Sequence, residues 1–126
     1  MITGVRQVSL PVADKERAKD FWTAKVGFAV HTDEPYGDER WIELAPPDGT
    51  PLLVLTERSE GDAVREQNAE LPDSPVLFAC DDIRGTYREL TGRGVRFSTP
   101  PKRMPFGWWA VFEDDEGTRY GLGERG

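Results

Sequence analysis

The sequence predicts an α+β fold made of two tandem βαβββ units that pair into a curved mixed-sheet cup with their helices on the outer face. Three observations predict it. The chain aligns with itself; each half opens on an alternating strand that is capped into an amphipathic helix; and each half closes on an acidic-Gly turn into a last strand. An offset of 68 residues lays "QVSLPVAD" (7 to 14) on "PVLFACDD" (75 to 82), matching Val8 with Val76, Leu10 with Phe78 and Asp14 with Asp82.

The elements follow in order. "VRQVSLPV" alternates as a half-buried strand does, and Asp14 then caps a helix in which Ala18, Phe21, Trp22 and Val26 recur at helical spacing before Gly27 stops it. The second half repeats this with Asp82, then Ile83, Tyr87 and Leu90, then Gly92 and Gly94. A one-residue slip aligns Trp41 with Trp108, and the restored offset aligns "DGTPLLVL" (48 to 55) with "EGTRYGLG" (116 to 123), each read as a turn into a strand. The units span residues 5–57 and 74–124 of one domain covering 1–126. Linker 58–73 is polar and acidic, with one helical turn expected around Ala63 to Gln67. One unit alone leaves a bare sheet face, so two are expected to pair and enclose a cup.

Composition narrows the partners. The 16 basic and 23 acidic residues give a formal charge of −7, which repels phosphate backbones and argues against nucleic acid. No apolar run reaches the length of a membrane span, and "MITGVRQV" lacks the pattern of a signal peptide, so a cytoplasmic protein with no membrane association is expected. The one cysteine, Cys80, cannot form an internal disulfide and reads as a small core residue.

Strand alternation, with Gln7 taken as inward, assigns the cup lining. Gln7, Ser9 and Pro11 come from the first strand, Leu53 and Leu55 from the fourth, Pro75, Leu77 and Ala79 from the fifth, and Gly121 from the last. Such a floor is mostly apolar and suits a hydrophobic or planar ligand oriented by one or two hydrogen bonds. Trp41, Trp108 and Trp109 stand at matched places in the halves, with Tyr36 and Phe106 as rim candidates. Adjacent residues of a strand face opposite ways, so only one of Trp108 and Trp109 can look into the cup. Indole faces on an acidic protein would also favour a cation. Lys102 and Arg103 read as solvated, and Glu43, Glu57 and Glu124 as solvated or capping carboxylates. His31, the only histidine, reads as a surface or strand-pairing residue with no carboxylate partner in view.

"VSLPVADKERAKDFWTAKVGF" and "WWAVFEDDEGTRYGL" resemble the opening strand and helix and the closing hairpin of the vicinal-oxygen-chelate superfamily, which includes glyoxalases, bleomycin-resistance proteins and dioxygenases. The resemblance covers nearly the whole chain. In metal-dependent members a His, Gln or Glu opens each first strand and a Glu stands in each last strand. Those positions fall here on Gln7, Pro75, Leu53 and Gly121, of which only Gln7 carries a donor atom. The resemblance therefore implies a metal-independent small-molecule binder like the bleomycin-resistance branch, without cofactor or catalytic residues, and a homodimer, in some members with exchanged halves. Its alternative is a glyoxalase-like lyase or a dioxygenase with an unconventional metal site or metal-free chemistry.

Overall fold

The computed structural model describes residues 1–58 and 72–125, so the turn expected at Ala63 to Gln67 lies outside the described residues. The chain divides into two compact units, Met1–Ala63 and Val64–Gly126. Unit 1 carries β1 (Gln7–Val12), α1 (Lys15–Asp20) continued by a π-helical segment (Phe21–Val26), β2 (Ala29–Tyr36), β3 (Glu39–Ala45) and β4 (Leu52–Glu57). Unit 2 carries β5 (Leu77–Cys80), α2 (Ile83–Gly92), β6 (Arg96–Met104), β7 (Gly107–Glu113) and β8 (Arg119–Glu124). Each is a βαβββ unit, and the α+β class is the one the sequence predicts.

The two sheets share one topology, with orders β1-β4-β3-β2 and β5-β8-β7-β6. In each the first strand pairs parallel to the last and the other neighbours are antiparallel. The parallel pair needs a crossover, and the rest of the unit supplies it.

The local chemistry of each start and stop is visible. Asp14 accepts from the Arg17 backbone N–H at 3.1 Å, and Asp82 accepts from that of Gly85 at 3.1 Å, each satisfying a donor of the first helical turn. Gly27 ends the first helix at φ 96°, a left-handed conformation that a side chain would strain.

Each helix packs on the sheet of its own unit. In unit 1, Leu10, Val12, Ile42 and Leu44 of the sheet and Ala18, Phe21 and Trp22 of the helix are all buried, and each large apolar side chain contributes about 1.5–3 kcal/mol. A charged clasp borders this core. Asp33 of β2 accepts from Arg40 Nε and Nη2 of β3 at 2.7 Å each and from Lys19 of α1 at 2.7 Å, while Glu16 of α1 meets Arg40 at 2.8 Å. The Arg40 guanidinium first, and Lys19 second, hold the Asp33 carboxyl well below the usual carboxylate range.

In unit 2, Phe78, Phe112 and Tyr120 form a ring cluster with centroid separations of 5.6 to 5.8 Å. Asp114 organises the β7–β8 turn: Oδ1 accepts from the Glu116 and Thr118 backbone N–H groups at 2.9 Å each, and Oδ2 accepts from the Tyr120 hydroxyl at 3.0 Å. Burial outweighs these bonds and pushes the Asp114 carboxyl up to about 6.

The register corrects the internal alignment. Residues paired across neighbouring strands share a face, and Trp109 holds in unit 2 the place that Trp41 holds in unit 1, an offset of 68 with no slip at the tryptophans. The slip falls in the last strand. Val54 lies between Ser9 and Glu43, and Gly121 lies between Leu77 and Val111, an offset of 67.

Candidate functional site

Among the described residues the helix of each unit packs on one face of that unit's sheet, and the opposite face, helix-free in that no described helix of the same unit covers it, carries the unusual chemistry. In unit 1 the pairing sets Gln7, Ser9 and Pro11 beside Leu52, Val54 and Thr56, then Trp41 and Glu43, then Thr32, Glu34 and Tyr36. Leu53 and Leu55 correct the sequence reading. They pair with Val8 and Leu10 on the helix side and are core residues, 2% and 1% exposed.

Glu43 is also a correction, because it is neither solvated nor a cap: it is 4% exposed in the middle of the helix-free face. A buried carboxylate is tolerated only where donors surround it. The Thr32 hydroxyl above all, then the Trp41 indole N–H and His31, with the charge of Arg6, outweigh desolvation and hold the Glu43 carboxyl below its usual value. His31 Nδ1 stands 3.2 Å from Glu43 Oε1 and 3.1 Å from the Thr32 hydroxyl, and Arg6 Nη1 is 3.5 Å from Glu43 Oε2. His31 therefore has a carboxylate partner after all. It is the extra residue of a β-bulge between Val30 and Thr32, which turns its ring onto the Glu43 side. Arg6 Nη1 also donates to Gln7 Oε1, the amide's role among the described residues.

Unit 2 is apolar at the matching places. Leu77, Ala79, Gly121, Gly123, Trp109 and Val111 share the helix-free face. The Trp109 indole lies across Gly121, where an added Cβ would meet Trp109 Cη2 at 2.3 Å and Leu77 Cδ2 at 2.8 Å. Phe106 stands edge-on to Trp109 with centroids 5.6 Å apart, and Leu77 and Phe106 are 60% and 68% exposed. Trp108 points the other way, with the Arg84 guanidinium of α2 4.5 Å above its ring, so the indole on the helix-free face is that of Trp109. In unit 1, Tyr36 and Trp41 form the comparable exposed pair, 6.0 Å apart.

The remaining candidates sort by face as well. Pro75 precedes β5 and is exposed. Lys102 pairs with Trp109 and Arg103 with Trp108, which places them on opposite faces of β6. Glu124 caps α2 by accepting from the Ile83 backbone N–H at 2.9 Å, and Glu57 is exposed at the end of β4.

A family model described as the Glyoxalase/Bleomycin resistance protein/Dioxygenase superfamily matches residues 4–121. The chain belongs to this superfamily. It is similar to the uncharacterized protein YetH of Bacillus subtilis (strain 168), 34% identical over 125 residues that make up 98% of this chain and 100% of YetH. Among solved structures it is similar to TnmS3, described as an antibiotic binding protein from Streptomyces sp. CB03234, at 32% identity and a TM-score of 0.82 over 99% of this chain and 98% of that one. A superfamily member from Sphaerobacter thermophilus DSM 20745 gives a TM-score of 0.82 at 27% identity over 98% of both chains.

Metal-dependent superfamily members draw ligands from the first and last strands of each unit, and the residues present do not fit such a group. The side chains sharing a face at those places are Gln7 or Ser9 with Leu52 or Val54, and Leu77 with Gly121. A first-row ion needs three or four N, O or S donors at about 2.0–2.3 Å. Among the described residues no three His, Cys, Asp or Glu side chains converge on a common point. No helix among them is long and apolar enough to cross a membrane.

Proposed function

We propose that this superfamily member binds a small planar or hydrophobic molecule on its helix-free sheet faces and sequesters it without metal or cofactor. The observation that carries the reading is the Trp109 indole packed against Gly121, where an added Cβ would meet Trp109 Cη2 at 2.3 Å, flanked by exposed Leu77 and Phe106. Large exposed aromatics on a sheet face mark a contact surface, and aromatic rings of this kind suit a planar ligand. The description of TnmS3 as an antibiotic binding protein supports the same class, with a drug-like or metabolite ligand. The formal charge of −7 favours a cation over an anion. The ligand-binding residues are then Gln7, Ser9, Tyr36, Trp41, Phe106 and Trp109, while Leu53, Leu55 and Trp108 drop out because they face the helix side.

A titration of tryptophan fluorescence with proflavine, a planar cation, and naphthalenesulfonate, a planar anion, tests it. Saturable quenching by the cation at lower concentration than by the anion is expected; no saturable response to either sinks the proposal. Untagged protein incubated with Fe(II), Ni(II) or Zn(II) and desalted is expected to retain only background metal. Near-stoichiometric retention that Gln7→Ala abolishes would restore the lyase or dioxygenase reading. A homodimer working in the cytoplasm completes the proposal, and sedimentation equilibrium reads the assembly directly.

A further inference from the structure

Sequestration of a planar molecule by the aromatic side chains does not by itself use the His31–Glu43 pair on the helix-free face of unit 1. We propose that this pair is a polar anchor in which Glu43 fixes the His31 tautomer and His31 Nε2 accepts a hydrogen bond from a hydroxyl on an aromatic ligand, a phenol or its equivalent. This deepens the binder reading and rests on it.

The geometry defines the roles. Glu43 Oε1 lies 3.2 Å from His31 Nδ1, and an ionised carboxylate can only accept, so Nδ1 carries the hydrogen and Nε2 keeps its lone pair. Among the described residues Nε2 has no hydrogen-bond partner, and the His31 side chain is 51% exposed. With Nδ1 protonated, the Thr32 hydroxyl accepts from the same Nδ1–H at 3.1 Å and donates its own hydrogen to the Glu43 carboxylate, closing a small ring of bonds about the imidazole. The carboxylate is itself buried, and the Trp41 indole bonds to it. The tryptophan with its Tyr36 neighbour and the imidazole are therefore positioned by one side chain. A ring stacked on Trp41 would present an edge hydroxyl to an acceptor on the same face, which a bare aromatic hydrocarbon cannot use.

His31 is the only histidine in the chain, so labelling histidine with nitrogen-15 gives a single pair of ring signals to follow. With the ring neutral and no ligand present, the expected spectrum has a protonated-type signal at Nδ1 and an unprotonated-type signal at Nε2. Added phenol is expected to move the Nε2 signal toward the protonated type, and anisole, which lacks the donor, to leave it in place. In Glu43→Gln the amide can donate to Nδ1, and the other tautomer should become populated, with a reduced phenol response. An Nε2–H tautomer in the wild-type protein overturns the proposal, as does an equal response to phenol and anisole or no response to either. Tryptophan quenching by proflavine reads the binder reading separately, so a failed anchor and a failed binding face are distinguishable.

Discussion

At the place where unit 1 buries Glu43, unit 2 buries Val111, and the neighbours differ accordingly. Both units keep the same strand order and the same bulge, after Val30 in β2 and after Phe97 in β6, with a threonine facing the central position in each. The bulge residue is His31 in one and Ser98 in the other. A carboxylate in a buried position demands donors, and unit 1 supplies them from four residues; a valine demands none, and unit 2 sets it between Thr99 and Gly121, the glycine against which Trp109 and Leu77 pack. One backbone frame thus makes a polar anchor and an apolar platform, and the central residue of β3 or β7 decides which.

Exchanging the two central residues breaks this comparison most severely. Val111→Glu places a carboxylate at a fully buried site without the donors of unit 1, and a loss of about 3–5 kcal/mol in urea unfolding, or failure to fold, is expected. Glu43→Val is milder, about 1–3 kcal/mol, because His31 and Arg6 are exposed enough to turn to water. Equal costs would mean that the donors around Glu43 do not compensate its burial.

Gly121→Val is next. Val54 occupies the matching place in unit 1 without conflict, whereas a side chain at Gly121 collides with Trp109, so a cost of about 1–3 kcal/mol with a changed tryptophan emission is expected. A neutral substitution with unchanged emission would mean that Gly121 does not seat the indole.

The smallest effect is on pH dependence, and its sign differs between the units. The Asp33 carboxyl of unit 1 is depressed, so its stabilisation is present above the unfolded value near 4 and is lost as pH falls below it. The Asp114 carboxyl of unit 2 is raised to about 6, so the folded state holds the extra proton and stability declines as pH rises from about 4 to about 6. Asp114→Asn keeps the acceptor for the two turn N–H groups and should flatten that decline. It should be more stable than wild type at pH 7.5 by about 1–2 kcal/mol, with little difference at pH 4. A variant less stable at pH 7.5 would show that the ionised carboxylate is what the turn requires.

The fold was legible because its signals are local. Asp14 and Asp82 cap their helices by contacts three residues away, and Gly27 stops a helix through its own backbone angle. The facing of the last strand of unit 1 was not, because "LLVL" is apolar on both sides, and only pairing with β1 and β3 shows that Leu53 and Leu55 belong to the core. Alternation likewise separated Trp108 from Trp109 without saying which faced which way; Arg84 from the helix decides it. The His31–Glu43 pair was the least legible part. Its partners are 12 residues apart and meet through a bulge, which strand alternation does not encode, although Glu43 does stand at the alternation position of Trp41.

The most direct test is proflavine titration of wild type, Trp108→Phe and Trp109→Ala, followed by tryptophan quenching with circular dichroism as a check on folding. If Trp109 is the platform, binding saturates with similar strength in wild type and Trp108→Phe and weakens at least tenfold in Trp109→Ala, in line with about 1–3 kcal/mol for one aromatic stack. Undiminished binding in folded Trp109→Ala, or no saturable binding in the wild type, would contradict it.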